Sequence, residues 1–211
     1  MKSGFRFRIG ALSILAGGLF AVAGDALAAD AQSRPDLPPG YISEAPLPEG
    51  YPPPAAPGKV VEKSYPQSRT YSATGRGAFF KCFSYLSLKR HEMTAPVVMD
   101  YPQGADGEKP PADSAERMHF ILEQPALDKT GKKLLVEVAD MPKLEVVSVA
   151  FQGDLTAEVF KSGEKKLREY AAGKPGLKIT GDLRVLGYNS PSVKPAERFW
   201  EIQLPVAAAD R

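Results

Sequence analysis

The chain has little of what covalent and metal chemistry needs. Cys82 is the only cysteine in 211 residues, so no intrachain disulfide forms and the core holds by packing alone. His91 and His119 are the only histidines, and neither belongs to a Cys-x-x-Cys-His haem-attachment site or a His-Glu-x-x-His zinc pair. A glycine-rich phosphate loop and a nucleophile elbow are also missing, and no two carboxylates are spaced as an acid–base pair. No enzymatic activity is expected. Charge of one sign is lacking too. The first 28 residues hold three of the 27 basic and one of the 25 acidic side chains, which leaves 24 of each beyond them. A nucleic-acid binder gains its affinity by neutralising phosphates with a basic excess, so that class is set aside.

No apolar run reaches the roughly 18 to 20 residues of a membrane-spanning helix. Ala11 to Ala23 comes nearest. It follows Lys2, Arg6 and Arg8, sits within an uncharged stretch from Ile9 to Gly24, and ends in Ala26-Leu27-Ala28. Basic start, short apolar middle and small-x-small end outline a secretory signal peptide over residues 1–28, with cleavage after Ala28. The expectation is an exported protein, periplasmic or secreted, with no stable membrane anchor.

Proline is concentrated. Nine of the 20 fall between Pro35 and Pro57, where fixed φ and missing backbone donors forbid a regular helix or ladder. Residues 29–58 are read as a Pro-rich linker. Within it, Leu37-Pro38-Pro39-Gly40-Tyr41 recurs as Leu47-Pro48-Glu49-Gly50-Tyr51. The segment is a spacer, a docking tail for a Pro-reading groove, or a strap lying on the protein's own surface through the two tyrosines.

From residue 59 to 207 the composition is that of a folded domain, with 208–211 as a tail. Val60 to Ser72 reads as a strand broken at Pro66. Ala78, Phe79, Cys82, Phe83 and Leu86 share one face of a helix. Alternation over Val97 to Tyr101 and Met118 to Leu122 gives two strands around a polar loop from Pro102 to Ala115, and Leu134 to Val138 gives a short one. Leu144 to Phe151 is a strand, Thr156 N-caps a helix reaching Tyr170, and Leu183 to Tyr188 and Phe199 to Leu204 are strands. Strand, helix, strand, strand appears twice. The expected fold is α+β: duplicated βαββ halves forming a distorted antiparallel β-barrel with two helices against it.

Met93-Thr94-Ala95-Pro96-Val97 and Gly187-Tyr188-Asn189-Ser190-Pro191 occupy corresponding places in the two halves, and Glu201 stands in a final strand of Trp200-Glu201-Ile202-Gln203-Leu204-Pro205-Val206. In these residues the chain resembles the SOUL haem-binding family, from about Val60 to Val206. The resemblance implies reversible, non-covalent binding of haem or a related porphyrin in an apolar groove beside the first helix, with basic residues near the propionates. It places Arg76, Phe79, Phe83, Ser84 and Lys194 in that groove. The chemistry suits those residue types: aromatic rings cover a flat apolar disc, and Arg or Lys pairs with carboxylates. The chain departs from the family in having no histidine between Val60 and Arg76, and Phe79 stands where Met is frequent. His91, in a basic turn read as exposed, and His119, alternating away from Met118 and Phe120, are the imidazoles available to a metal. Cys82, Met93, Met99 and Tyr188 also carry atoms able to bind iron.

The expected role is an exported carrier, buffer or scavenger of haem, acting as a monomer. The alternative is a gyrase-inhibitor-like cleft binder, or weak hydrolase, of other hydrophobic or cationic small molecules, with Glu201 as its carboxylate.

Overall fold

The computed structural model describes residues 37–101, 115 and 117–209. The leader expected over 1–28 and nearly all of the loop expected over 102–115 lie outside these residues. Among the described residues no helix is long and apolar enough to cross a membrane.

The strands are β1 (Val60–Tyr65), β2 (Ser68–Thr74), β3 (Val97–Tyr101), β4 (Arg117–Ile121), β5 (Gly131–Lys132), β6 (Glu137–Met141), β7 (Leu144–Gln152), β8 (Leu177–Ile179), β9 (Leu183–Gly187) and β10 (Phe199–Ala208). The helices are α1 (Ala78–Lys89) and α2 (Ala157–Ala172), the latter capped by the Thr156 hydroxyl, which accepts from the Val159 N–H at 3.3 Å. The duplication is visible in the pairing. The central order is β7-β10-β9-β3-β4-β2, antiparallel throughout. Each half therefore places its last strand between its other two, and the halves meet where β3 pairs with β9. β1 extends one side beside β7, and β6 and β5 extend the other beside β2.

β1 and β2 are joined only by Pro66 and Gln67, yet lie far apart in that order. The sheet must curl until they approach. It does not close: no ladder joins β1 to β2, so the expected barrel is an open, strongly curled sheet. Tyr51 fills this seam, its ring 5.1 Å from that of Tyr65 and its hydroxyl bonded to Ser68 at 2.9 Å.

Alternation along the strands divides the sheet into two faces. Tyr71, Phe120 and Val138 pack under Cys82 and Leu86 of α1, while Val147, Val149, Ile202 and Leu204 pack under Phe160 and Leu167 of α2. α2 sits close because Gly163 has no side chain; a Cβ there would lie 2.4 Å from Ile202 Cδ1. The other face combines an apolar cluster around Val98, Ile121, Val146, Leu186 and Phe199 with buried Ser72, His119, Ser148, Arg184, Glu201 and Gln203.

The described part of the Pro-rich segment, residues 37–58, lies on this second face as a strap and not as a free spacer. Its repeat builds two turns. Tyr41 N–H donates to Pro38 O and Tyr51 N–H to Pro48 O, both at 3.1 Å, with Gly40 and Gly50 at φ +78° and +73°. Positive φ at the third position of a turn is what glycine supplies without strain. Each turn delivers the tyrosine after it onto the domain. Tyr41 meets Tyr188 and Phe199 edge-on at 5.9 and 5.4 Å, as Tyr51 meets Tyr65.

Two expectations shift. The strand expected at Leu134–Val138 lies at Glu137–Met141, because the Lys133 N–H donates to Val136 O and puts Leu134, 88% exposed, at a hairpin tip. β8 was not expected; three residues carry too little alternation to register.

Candidate functional site

A cavity of about 1250 Å³ opens beside α1, over the central strands β3, β4, β9 and β10. Both sequence motifs meet in it. Val97 pairs directly with Gly187 across the junction of the two halves, so the Met93–Val97 and Gly187–Pro191 stretches line the cavity from adjoining strands. The first is fixed by Thr94 Oγ1 donating to Ile121 O at 2.7 Å and the Ala95 N–H donating to Pro46 O at 2.9 Å. In the second, Asn189 Oδ1 accepts from the Phe199 N–H at 2.8 Å and its amide donates to Ile42 O of the strap at 2.7 Å. Gly187 is required by space: a Cβ would stand 2.9 Å from the Trp200 ring, which lies across it and contributes to the cavity wall. The Trp200 indole N–H is tied to Gly153 O at 3.0 Å.

The helical wall comes from the outward side of α1. Phe79 is half-buried and stacks on Phe83, with ring centroids 6.0 Å apart and 11° between planes, and its other edge meets Phe120 at 5.1 Å. Phe83 is 43% exposed and Phe80 71% exposed, both toward the cavity. The helical face read from the sequence is thus divided: Ala78, Cys82 and Leu86 turn to the sheet, and Phe79 and Phe83 to the opening. Arg76 stands at the rim between Gly75 and Gly77, whose φ values of +71° and +79° make the tight lead into α1. Among the described residues, the other charged ones that line it are Glu44 and Glu92.

Of the five groove residues expected from the resemblance, the structure brings together Arg76, Phe79 and Phe83. Ser84 is exposed and Lys194 has 81% of its side chain in solvent beside Glu197, and neither lines the cavity. Ser84 falls on the flank of α1 away from the opening, and Lys194 precedes a turn on the far side of Pro191. Phe80, Met99, Met118, Trp200 and Glu44 line the cavity without having been singled out as groove residues. No sequence signal marks them; Trp200, for one, meets Gly187 only through the β9–β10 register.

The iron-binding candidates are also placed. His91 is half-buried, not exposed: its Nδ1 bonds the Tyr71 hydroxyl at 2.8 Å and its ring stacks on Tyr71. His119 is buried, with Nε2 bonded to Asp100 Oδ2 at 2.7 Å. Neither lines the cavity. Cys82 lies under α1 with its thiol donating to Tyr71 O at 3.5 Å, and burial pushes its pKa up to about 12. Met93, Met99 and Met118 do line the cavity. Among the described residues no group of three or more His, Cys, Asp or Glu side chains is arranged to hold a metal ion.

Tyr188 reaches past the cavity to Glu201, which is fully buried beneath the strap. Glu201 accepts from Lys63 Nζ at 2.5 Å and the Ala55 N–H at 2.6 Å through Oε1, and from the Tyr188 hydroxyl at 3.2 Å and Gln203 Nε2 at 3.0 Å through Oε2. Burial holds the Tyr188 phenol well above its usual pKa, and the Glu201 charge adds to this. Burial also lowers the Lys63 pKa, against the attraction of Glu201.

Among solved structures, the C-terminal domain of EcmrR is similar over 72% of this chain and 98% of its own, at 16% identity and a TM-score of 0.51. A protein described as a hydrolase from Listeria innocua is similar over 72% of this chain and 94% of its own, at 14% identity and a TM-score of 0.51. At such identities the likeness is one of fold. No curated protein sequence matches significantly. Residues 55–205, which contain both cavity motifs, α1 and the Glu201 strand, match the profile of the SOUL heme-binding protein family, and the chain belongs to that family.

Proposed function

We propose that this chain binds haem or a related tetrapyrrole non-covalently in the cavity beside α1, as an exported carrier, buffer or scavenger. The observation that carries the reading is the cavity itself. Its volume of about 1250 Å³, beyond the roughly 300 to 1,000 Å³ of ordinary ligand pockets, leaves room for a large macrocycle. The stacked Phe79 and Phe83 offer flat apolar cover, Trp200 and the methionines line the floor, and Arg76 supplies a cation at the rim where a propionate emerges. The porphyrin face, not an iron–histidine bond, provides the affinity, since both histidines lie elsewhere. The leader expected from the sequence over residues 1–28 supports export.

Catalysis is not part of this reading. A hydrolase that used Glu201 would need that carboxylate free, and four protein donors already occupy it beneath the strap.

The test is a titration with hemin and, in parallel, with iron-free protoporphyrin. A Soret band should develop with hemin, and the two affinities should agree within a few-fold. Arg76→Glu should weaken both by about tenfold, the scale of one charge-assisted contact, while Lys194→Glu should leave them unchanged. Absence of a saturable Soret change, or an Arg76→Glu variant that binds like the parent, overturns the proposal.

A further inference from the structure

The strap places a carboxylate at the cavity rim. Glu44 Oε2 accepts from the Ser190 N–H at 2.7 Å, Glu44 Oε1 accepts from the Ser190 hydroxyl at 2.7 Å, and Asn189 Nδ2 approaches Oε2 at 3.5 Å. Glu44, Asn189 and Ser190 all line the same cavity. The corner that receives Glu44 is built independently of it. Asn189 is fixed by Phe199 and Ile42, and Arg198 braces the loop from behind by donating to Val193 O and Pro191 O, each at 2.9 Å. The donors at Ser190, with the Arg198 charge, hold the Glu44 carboxyl below its usual pKa. Glu44 itself is exposed and has little packing to lose. Tyr41, Tyr51 and the Pro46–Ala95 hydrogen bond hold the strap without it.

We propose that the Asn189–Ser190 corner is a carboxylate-binding subsite of the cavity, that Glu44 occupies it as an internal stand-in, and that a carboxylate arm of the ligand displaces Glu44. Two adjacent donors that engage both oxygens of one carboxylate, at the mouth of an apolar cavity, fit the acid side arm of an amphipathic ligand. With the preceding reading, on which this identification of the arm rests, the arm is a porphyrin propionate. Glu44 then sets affinity by competition: its local concentration at the corner is high, so the ligand gains only the difference between the two carboxylates.

The experiment has two parts. In the first, Glu44→Ala is titrated with protoporphyrin and with its dimethyl ester, which carries no carboxylate. The free acid should bind about tenfold more tightly than to the parent and the ester with unchanged affinity. Ser190→Ala, added to Glu44→Ala, should remove most of that gain. Relief of simple charge repulsion would leave the gain intact in the double variant, and that result overturns the proposal, as does an equal gain by the ester. In the second part, acetate is titrated into Glu44→Ala and the Ser190 amide is followed by NMR. It should shift saturably in the variant and far less in the parent. An amide that does not respond in the variant overturns the subsite. A saturable response to acetate without porphyrin binding upholds the subsite and overturns the tetrapyrrole reading instead.

Discussion

Replacing Lys63 with Met tests whether the ion pair beneath the strap is as dry as it stands in the structure. The side chains of Lys63 and Glu201 are 7% and 0% exposed, and the ammonium is divided between Glu201 and Pro53 O, at 2.5 and 2.7 Å. Methionine keeps the length of the chain and removes the charge, which leaves Glu201 buried without a counter-ion. Breaking one side of such a pair costs about 3 to 5 kcal/mol. Glu201 keeps three neutral donors, from Ala55, Tyr188 and Gln203, so the lower end, about 3 kcal/mol, is expected. That corresponds to a melting temperature lower by roughly 6 to 12 °C for a domain of this size. Glu201→Gln should cost less, about 1 to 2 kcal/mol, because burial already lowers the Lys63 pKa, which lessens the cost of neutralising the amine once the carboxylate is gone. The double variant should recover most of the Lys63→Met loss, giving a coupling of about 3 kcal/mol. Urea unfolding of the four proteins, with the slope checked for constancy, measures all three quantities. A Lys63→Met variant within about 1 kcal/mol of the parent, or strictly additive losses, would refute the reasoning: water would then be reaching the pair.

Three further outcomes are expected. Tyr65 and Tyr188 are both held above the usual phenol value of 10.0 by burial, with the Glu201 charge adding to it. Their contribution to stability is complete below pH 10 and is lost as the pH rises beyond it, because the unfolded chain ionises first; alkaline unfolding followed by tyrosinate absorbance should show this, and stability flat across that range would contradict it. Gly163→Ala should cost about 1 to 3 kcal/mol by pressing on the end of Ile202, with Ile202→Val in the same chain recovering part of it, as read by chemical denaturation. Tyr51→Ala should cost about 3 kcal/mol, since the ring is buried at the open seam. Protease cleavage within 37–58 should become faster in that variant, and unchanged cleavage would mean that the strap is held elsewhere.

The duplicated order was legible because both βαββ halves carry clean periodicity, and an i, i+4 helix repeat with a capping Thr156 survives in any environment. The aromatic wall was legible in part: spacing put Phe79 and Phe83 on one face with Cys82, but only the packed helix shows the face divided between core and opening. Ser84 and Lys194 were assigned by position relative to motifs, and a shift of about 100° along a helix or a turn after Pro191 is invisible at that level. The strap is the instructive case. Nine prolines exclude a ladder, but whether a Pro-rich segment floats or docks depends on what its two tyrosines find. Here they find Tyr65, Tyr188 and Phe199, none of them near in sequence. Glu201 stood out as a motif residue, and its partner Lys63 could not, since nothing in a sequence pairs residues 138 positions apart.

The two βαββ halves are related in plan, but only one of them leaves room. Under α2, Gly163 lets the helix settle onto Ile202 and Phe160 closes against Tyr101 with ring centroids 5.2 Å apart, so the place corresponding to the cavity beside α1 is filled with side chains. Among the described residues the duplicated plan thus leaves one large berth, and the proposed binding is expected to saturate at one ligand per polypeptide.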